Sequence, residues 1–308
     1  MLAIVIPFYK ISFFEQTLKS LANQTNKEFR VYIGDDASPD NPVDIISFYE
    51  DLINISYQRF EHNLGGKSLT SQWERCIEMV ADERWIMILG DDDYVSNNYV
   101  QEFYQHLDEI ENYDIKVVRF ATRVLREPGG ELSNLFTHPK IESSTDFFYR
   151  KFLKFSRGSL SEQIFRKDAY LKNKFRDFPL GWGADNFAWL DFTEFGSIYT
   201  INNATAFFRI SELNISRGGY EETLKQQTKW MYFNLIVEQY LHKFKKEQRV
   251  PLLLFYEQVV YYSDKISPGF FITMHKNFIR EKAYIQVLKF SRRFFLFLIN
   301  KWNGKHPS

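Results

Sequence analysis

The sequence predicts an α/β protein with a mostly parallel central sheet flanked by helices and a helical C-terminal region. Three observations predict it. Short apolar runs alternate with segments of helical apolar spacing through the first hundred residues, the pattern of strand–helix–strand units in a parallel sheet. A polar, glycine-containing or acidic cluster follows each of the first four apolar runs; in a parallel sheet those loops share one edge, where ligands bind. From about Glu221 the strand signals stop and helical spacing takes over.

In chain order, Leu2 to Ile6 is a short apolar strand that Pro7 ends. Phe13 to Ala22 carries Phe14, Leu18 and Leu21 at helical spacing. Ser12 is its expected N-cap, with Glu15 completing a capping box. Phe29 to Ile33 is the second strand, followed by Gly34-Asp35-Asp36-Ala37-Ser38-Pro39-Asp40, and Val43 to Leu52 is the second helix. Ile55 to Phe60 is the third strand, His62-Asn63-Leu64-Gly65-Gly66-Lys67 its loop, and Leu69 to Val80 the third helix. Trp85 to Leu89 is the fourth strand. Residues 99–112 read as one helix, Ile115 to Phe120 as a strand and Arg126 to Pro139 as loop. Ser159 to Phe165 reads as a strand and Asp168 to Lys174 as a short helix. Pro179-Leu180-Gly181-Trp182-Gly183-Ala184-Asp185-Asn186 is a glycine-rich turn that opens a helix running through Phe192. Ser197 to Ile201 and Ala204 to Ile210 look like closing strands. The expected segments are 1–100, 101–217 and 218–308.

Composition narrows the function. Lys and Arg balance Asp and Glu at 39 each, so nucleic acid is not the expected partner. The single cysteine, Cys76, allows no intramolecular disulfide and reads as a small hydrophobe on an amphipathic helix. The run Leu2 to Ile6 is short for a signal peptide and no basic residues precede it. No stretch approaches 18 uninterrupted apolar residues, so no transmembrane helix is expected. The expected location is the cytoplasm. Residues 275–308 hold eight Lys/Arg and one acidic residue, Glu281, around the aromatic run Phe290 to Ile299. Such a helix suits peripheral contact with an anionic membrane at its inner face; the alternative is a helix that packs its Phe face on the rest of the protein.

The segment Trp85-Ile86-Met87-Ile88-Leu89-Gly90-Asp91-Asp92-Asp93 carries the densest chemistry. Three adjacent carboxylates repel one another where a buried strand should end. A hard divalent cation would neutralise them; a solvated acidic turn is the alternative.

Four segments stand in a telling order: Ile4-Val5-Ile6-Pro7-Phe8-Tyr9-Lys10, Asp35-Asp36-Ala37-Ser38-Pro39-Asp40, Asn63-Leu64-Gly65, and Trp85 through Asp93. Together they resemble the inverting family 2 glycosyltransferases of the GT-A fold. The resemblance implies that residues 1–100 form the half that binds a nucleotide-sugar, residues 101–217 the acceptor-binding half and residues 218–308 a helical extension. It implies that Pro7, Phe8 and Tyr9 lie against base and ribose, with Lys10 in place of the usual Asn. Asp36 would reach the nucleobase with Asp35 as its neighbour, Asn63 belongs to the family's N-x-G, and Lys67 sits where a basic residue often approaches the diphosphate. Asp91 or Asp92 would face the ribose. Asp93, with Asp92 in the alternative register, would take Mn2+ or Mg2+.

In the second half, Gly183-Ala184-Asp185-Asn186 resembles the family's G-E-D motif, with Ala184 in place of Glu. The resemblance makes Asp185 the general base; a helix-capping role is the alternative. Trp182 would stack on an acceptor sugar or fill core. Phe207-Phe208-Arg209-Ile210-Ser211 resembles the closing strand, with Ser211 where a His sometimes assists the diphosphate. Arg217, in Ser216-Arg217-Gly218-Gly219, belongs to a lid or to a solvated loop. The implied activity is sugar transfer from a nucleotide-diphosphate donor, by family frequency a UDP-sugar, to a hydroxyl of a carbohydrate or lipid-linked acceptor, in assembly of a bacterial capsule, O-antigen or exopolysaccharide. A nucleotidyltransferase is the enzymatic rival, disfavoured because the first loop lacks glycine. A catalytically silent sugar-binding module on the same fold is the other, kept open by Ala184 and Ser211.

Overall fold

The structure is a computed structural model that describes residues 1–154, 156–212 and 222–302, with Lys301 described by its backbone alone. Two compact units emerge, Met1–Tyr220 and Glu221–Ser308.

The first unit is built on strands β1 (Leu2–Phe8), β2 (Phe29–Asp35), β3 (Ile55–Arg59), β4 (Trp85–Ile88), β5 (Tyr94–Val95), β6 (Val117–Arg126), β7 (Glu131–Leu132), β8 (Ile141–Ser143), β9 (Gln163–Arg166) and β10 (Ser197–Ile210). Its helices are α1 (Phe14–Ala22), α2 (Val43–Glu50), α3 (Leu69–Ile77), α4 (Tyr99–Gln105), α5 (Leu107–Asn112), α6 (Ser144–Leu153), α7 (Lys167–Asn173) and α8 (Ala184–Phe192). The strand order is β3-β2-β1-β4-β9-β6-β10-β5, with β7 beside β6 and β8 beside β10. Pairing is parallel from β3 through β4 and again between β6 and β10, while β9 runs antiparallel between those blocks.

β1 is the central strand of the first block and its residues are buried apart from half-buried Pro7. Helices cover both faces of such a strand, which accounts for an uninterrupted apolar run in place of alternation. Register then fixes the functional edge. Pro7 pairs with Gly34 and Phe8 with Asp35, while Val5 pairs with Ile88. The first, second and fourth loops therefore leave the sheet side by side.

Several local expectations are corrected. Ser12 does not cap α1; Phe13 holds the cap position without a side-chain bond, and the Phe14 N–H goes to the Ile11 carbonyl at 3.1 Å. A turn there supplies the partner that a serine would have offered. Residues 99–112 form two helices, broken at His106. Its ring Nδ1 lies 2.8 Å from the Glu102 carbonyl, a side-chain competitor for the helix ladder. Ser197 to Ile210 is one long strand with an irregularity between Ile201 and Thr205. That bulge lets its first part pair with β8 and its second with β5.

Much of the unit's aromatic content is core. Phe165, Tyr170, Phe175, Trp189 and Phe192 pack ring to ring, with centroids 5.2 Å apart for Phe165 and Phe192. Cys76 is fully buried on α3, and burial pushes its thiol up to about 12, an inert thiol.

The second unit is helical: α9 (Glu222–Leu235), α10 (Lys246–Tyr262), α11 (Pro268–Arg280) and α12 (Tyr284–Trp302). Phe270, Phe278, Phe290 and Phe294 form its aromatic core. Arg293 of α12 donates twice to Glu257 of α10, both at 2.6 Å. Among the described residues no helix is long and apolar enough to cross a membrane.

Candidate active site

A cleft of about 320 Å³ opens where the first-block strands end. The loop after β1 supplies Pro7, Phe8, Tyr9 and Lys10. Asp36 comes from the end of β2, and Asn63, Gly65 and Gly66 from the loop after β3. Leu69 and Gln72 of α3 form a wall, and Asp91 enters from the end of β4. Of the residues implied as donor contacts, Pro7, Phe8, Tyr9, Asp36, Asn63 and Asp91 thus share one cavity. Asp35, Lys67, Asp92 and Asp93 do not line it.

Hydrogen bonds explain these positions. Asp36 is buried and accepts the N–H groups of Leu64 at 2.6 Å and Gly65 at 2.8 Å, and its carboxylate also pairs with Arg75. A Cβ at Gly65 would lie 2.6 Å from Asp36 Oδ2, so only glycine allows this approach. Asn63 Oδ1 accepts the Gly66 N–H at 2.8 Å. Asp35 is fully buried behind the cleft. It accepts from the Ser38 N–H at 2.8 Å, the Tyr57 hydroxyl at 2.7 Å and Arg59 at 2.7 Å. It thereby ties β2 to β3. Lys67 is exposed on the following loop.

The acidic trio divides its work. Asp91 Oδ2 accepts the N–H groups of Tyr9 and Lys10, both at 2.8 Å, and so fastens the first loop to the fourth. Burial first, then Asp92, pushes its carboxyl up to about 7 against those two N–H bonds. Asp93 is 2% exposed. Its oxygens accept from the Arg209 backbone N–H at 2.8 Å and the Ser161 hydroxyl at 2.5 Å. Burial and then Asp92 push it up to about 8, opposed by Ser161, the Arg209 N–H and the charge of Arg157. Asp92 is half-buried, and its carbonyl accepts Arg209 Nε at 2.8 Å. The Thr17 hydroxyl donates to the Asp93 carbonyl at 2.7 Å.

Four residues that the resemblance does not assign emerge here. Thr17, Ser161 and Arg209 clamp the trio. Arg209 is a buried cation at the end of the closing strand, directly after Phe207 and Phe208, which was a legible signal. Arg157 lies in a polar loop that gave none. Its guanidinium sits 4.2 Å over the Phe208 ring. Its Nε and Nη2 are buried and make no hydrogen bond among the described residues, although its charge acts on Asp93.

Asp185 lies in the first turn of α8, just after Gly183, which takes the left-handed conformation at φ 82°. No side chain caps this helix. The Asp185 carboxylate instead faces Lys151 Nζ at 3.7 Å, and 17% of its side chain is exposed. Lys151 also donates to the Gly158 carbonyl at 2.6 Å and to the side chain of Asn186. One lysine therefore holds Asp185 beside the segment that carries Arg157 and Ser161. The preceding turn leans on the cleft wall: a Cβ at Gly181 would lie 3.1 Å from Leu69. Asp177 accepts the hydroxyls of Ser68 at 2.9 Å and Thr70 at 2.6 Å at the start of α3. Trp182 is half-buried in that turn. Ser211 is buried after β10, and Arg217 lies outside the described residues.

The sequence model of glycosyl transferase family 2 matches residues 3–170. The chain belongs to glycosyl transferase family 2. A 68-residue stretch is 38% identical to validoxylamine A glucosyltransferase of Streptomyces hygroscopicus subsp. jinggangensis (strain 5008), covering 21% of this chain and 16% of that protein's length. Over the whole fold the chain resembles S. aureus TarS 1-349 in complex with UDP-GlcNAc, with TM-score 0.65, 14% identity and coverage of 99% of this chain and 92% of that one. TarS 1-349 in a further crystal structure matches with TM-score 0.61 and 15% identity over 91% of this chain and 80% of that one. At such identities the likeness is one of fold, and that fold is the GT-A type. In this family 2 glycosyltransferase, the cleft lies at the carboxyl ends of parallel strands, where α/β sheets bind their ligands.

Proposed function

We propose that this family 2 glycosyltransferase moves a sugar, with inversion, from a nucleotide-diphosphate sugar to a hydroxyl of a carbohydrate or lipid-linked acceptor. The observation that carries the reading is the single cleft shared by Pro7 to Tyr9, Asp36 and Asp91, with Asp93 and Arg157 beside it. Tyr9, 39% exposed, offers ring surface to a base, whereas the Phe8 ring is fully buried against Phe14 and supports the loop from below. Asp36 Oδ2 accepts one N–H from Gly65 and keeps a lone pair for a base N–H. A UDP-sugar is the donor we favour, supported by the UDP-GlcNAc and UDP complexes of TarS. Assembly of a bacterial capsule, O-antigen or exopolysaccharide, on the cytoplasmic side with peripheral membrane contact through 275–308, completes the reading.

The diphosphate gains negative charge as it departs. In this reading Arg157 supplies the cation from the protein, in place of the exposed Lys67. Its uncommitted N–H groups match phosphate oxygens. The acidic trio also fits Mn2+ or Mg2+. No three His, Cys, Asp or Glu ligands converge among the described residues. Such an ion, however, often takes only one or two carboxylates and fills its remaining positions with phosphate and water oxygens. Asp93, with Asp92, would hold it; burial and then the Asp92 charge raise the Asp93 carboxyl, a cost that a cation relieves. When bound, the ion offsets charge on the diphosphate.

Asp185 is the proposed base. It takes the proton of the acceptor hydroxyl as that oxygen bonds to the anomeric carbon, and the electron pair of the broken glycosyl–phosphate bond leaves with the diphosphate. Lys151 orients Asp185 for that task. Incubating the full chain with a panel of nucleotide-sugars, an acceptor panel and Mn2+ tests the whole reading. Release of nucleoside diphosphate with one donor supports it. Donor binding without release marks a sugar-binding module, and release of pyrophosphate in a parallel incubation with nucleoside triphosphates and sugar phosphates marks a nucleotidyltransferase.

A further inference from the structure

α12 is apolar on two faces, and the packing of the second unit uses one of them. Phe290 and Phe294 are buried against Phe270 and Phe271 of α11. On the other side Tyr284, Ile285, Leu288, Phe295, Ile299 and Trp302 are 63%, 69%, 74%, 55%, 55% and 91% exposed. At about 100° per residue these six fall within roughly one-third of the helix circumference. Scattered exposed apolar residues need no explanation, but six on one side of a five-turn helix, interrupted only at Ser291 and Arg292, do.

We propose that this outward stripe docks on an anionic lipid bilayer, with the helix lying in the plane of the headgroups. Charge selects that occupant. Lys282 and Lys289 are exposed beside the stripe and Arg292 is exposed within its span, and residues 284–302 contain no Asp or Glu. The one carboxylate between 275 and 308, Glu281, is already paired with Arg249 at 3.1 Å. A second copy of the same face would set these cations against each other, whereas acidic headgroups neutralise them. The helix has 19 residues, about 28 Å, yet its cations disqualify it as a span; an amphipathic helix of this kind sits at the interface. Trp302 at its end suits the headgroup layer. The inference deepens the membrane contact proposed above, but it stands on the second unit and holds whatever the cleft transfers.

The test is co-sedimentation of the full chain with vesicles of phosphatidylcholine alone or mixed with phosphatidylglycerol. Binding should be about tenfold stronger on the anionic vesicles and fall as salt rises. Leu288→Glu/Phe295→Glu, at exposed positions, should lose it with an unchanged thermal unfolding profile. Lys289→Glu/Arg292→Glu should lose the preference for anionic lipid. Equal sedimentation of wild type and Leu288→Glu/Phe295→Glu overturns the proposal, as does no wild-type binding to either vesicle. Self-association abolished by the same variants would assign the face to a second copy instead and also overturn it. Nucleoside diphosphate release in vesicle-free solution, measured on the same proteins, reports on the cleft separately.

Discussion

Asp185 and Arg157 carry the sharpest expectations at the scale of single residues. Asp185→Asn keeps the shape and removes the base, so transfer should fall by about 10²–10⁴-fold while donor affinity, read by titration, stays at the wild-type value. A fully active Asp185→Asn enzyme would exclude it as the base. Arg157→Ala should weaken donor binding by about tenfold or more, the value of one charge-assisted contact, and Lys67→Ala should leave it unchanged. The opposite ranking would return the diphosphate contact to Lys67. What was legible at this scale followed chemistry that a sequence displays. Adjacent carboxylates at a strand end announce themselves at Asp91 to Asp93. Arg157 does not, because its role rests on a fold that brings the loop before β9 to the end of β4. Nor could spacing separate Asp35 from Asp36: consecutive residues point to opposite sides, and only the pairing of β2 with β3 shows which one is spent on Tyr57 and Arg59.

Among the elements, the loop after β3 depends on one glycine. Gly65→Ala forces a methyl group against Asp36 Oδ2, so it should raise the donor KM more than it lowers kcat; an unchanged KM would show that the loop yields at no cost. The approach to β8 offers a pH test. His138 is 6% exposed, and Arg150 Nη2 lies 3.0 Å from its Nδ1. Burial first, then Arg119 and Arg150, lowers it from 6.5 to about 3. The unfolded chain therefore takes up this proton before the folded one. Its contribution to stability is complete above pH 6.5 and is lost as pH falls from there toward about 3. Urea midpoints of His138→Phe should drop less than wild type over that window, and parallel curves would contradict the assignment. Strands β1, β2 and β4 were readable because buried parallel strands form largely apolar runs. The direction of β9 was not, since a short apolar run is the same in either direction. The single strand β10 was missed because Asn202 and Asn203 mimic a turn at its bulge.

For the whole molecule, the convergence of the early loops on one edge was implied by alternation alone, and the cleft shows where they meet. The boundary between the two units falls at Tyr220 and Glu221, close to where strand signals end in the sequence. The basic, aromatic character of 275–308 was equally visible, but periodicity could not say which apolar face of α12 the unit would keep. A donor that binds the folded cleft alone should stabilise the first unit by about 2.7 kcal/mol at a hundredfold excess over its dissociation constant. Thermal unfolding with UDP and Mn2+ reads this as a rise in the transition of that unit, and no rise at saturating nucleotide would mean that the cleft is not a nucleotide site.

Calorimetric titration of UDP into the full chain with Mn2+, for wild type, Asp36→Asn and Asp93→Ala, tests most directly whether the two acidic groups serve one nucleotide. The expected result is saturable wild-type binding, at least about tenfold weaker in Asp36→Asn and independent of Mn2+ in Asp93→Ala. Wild-type affinity and metal dependence in both variants would contradict it.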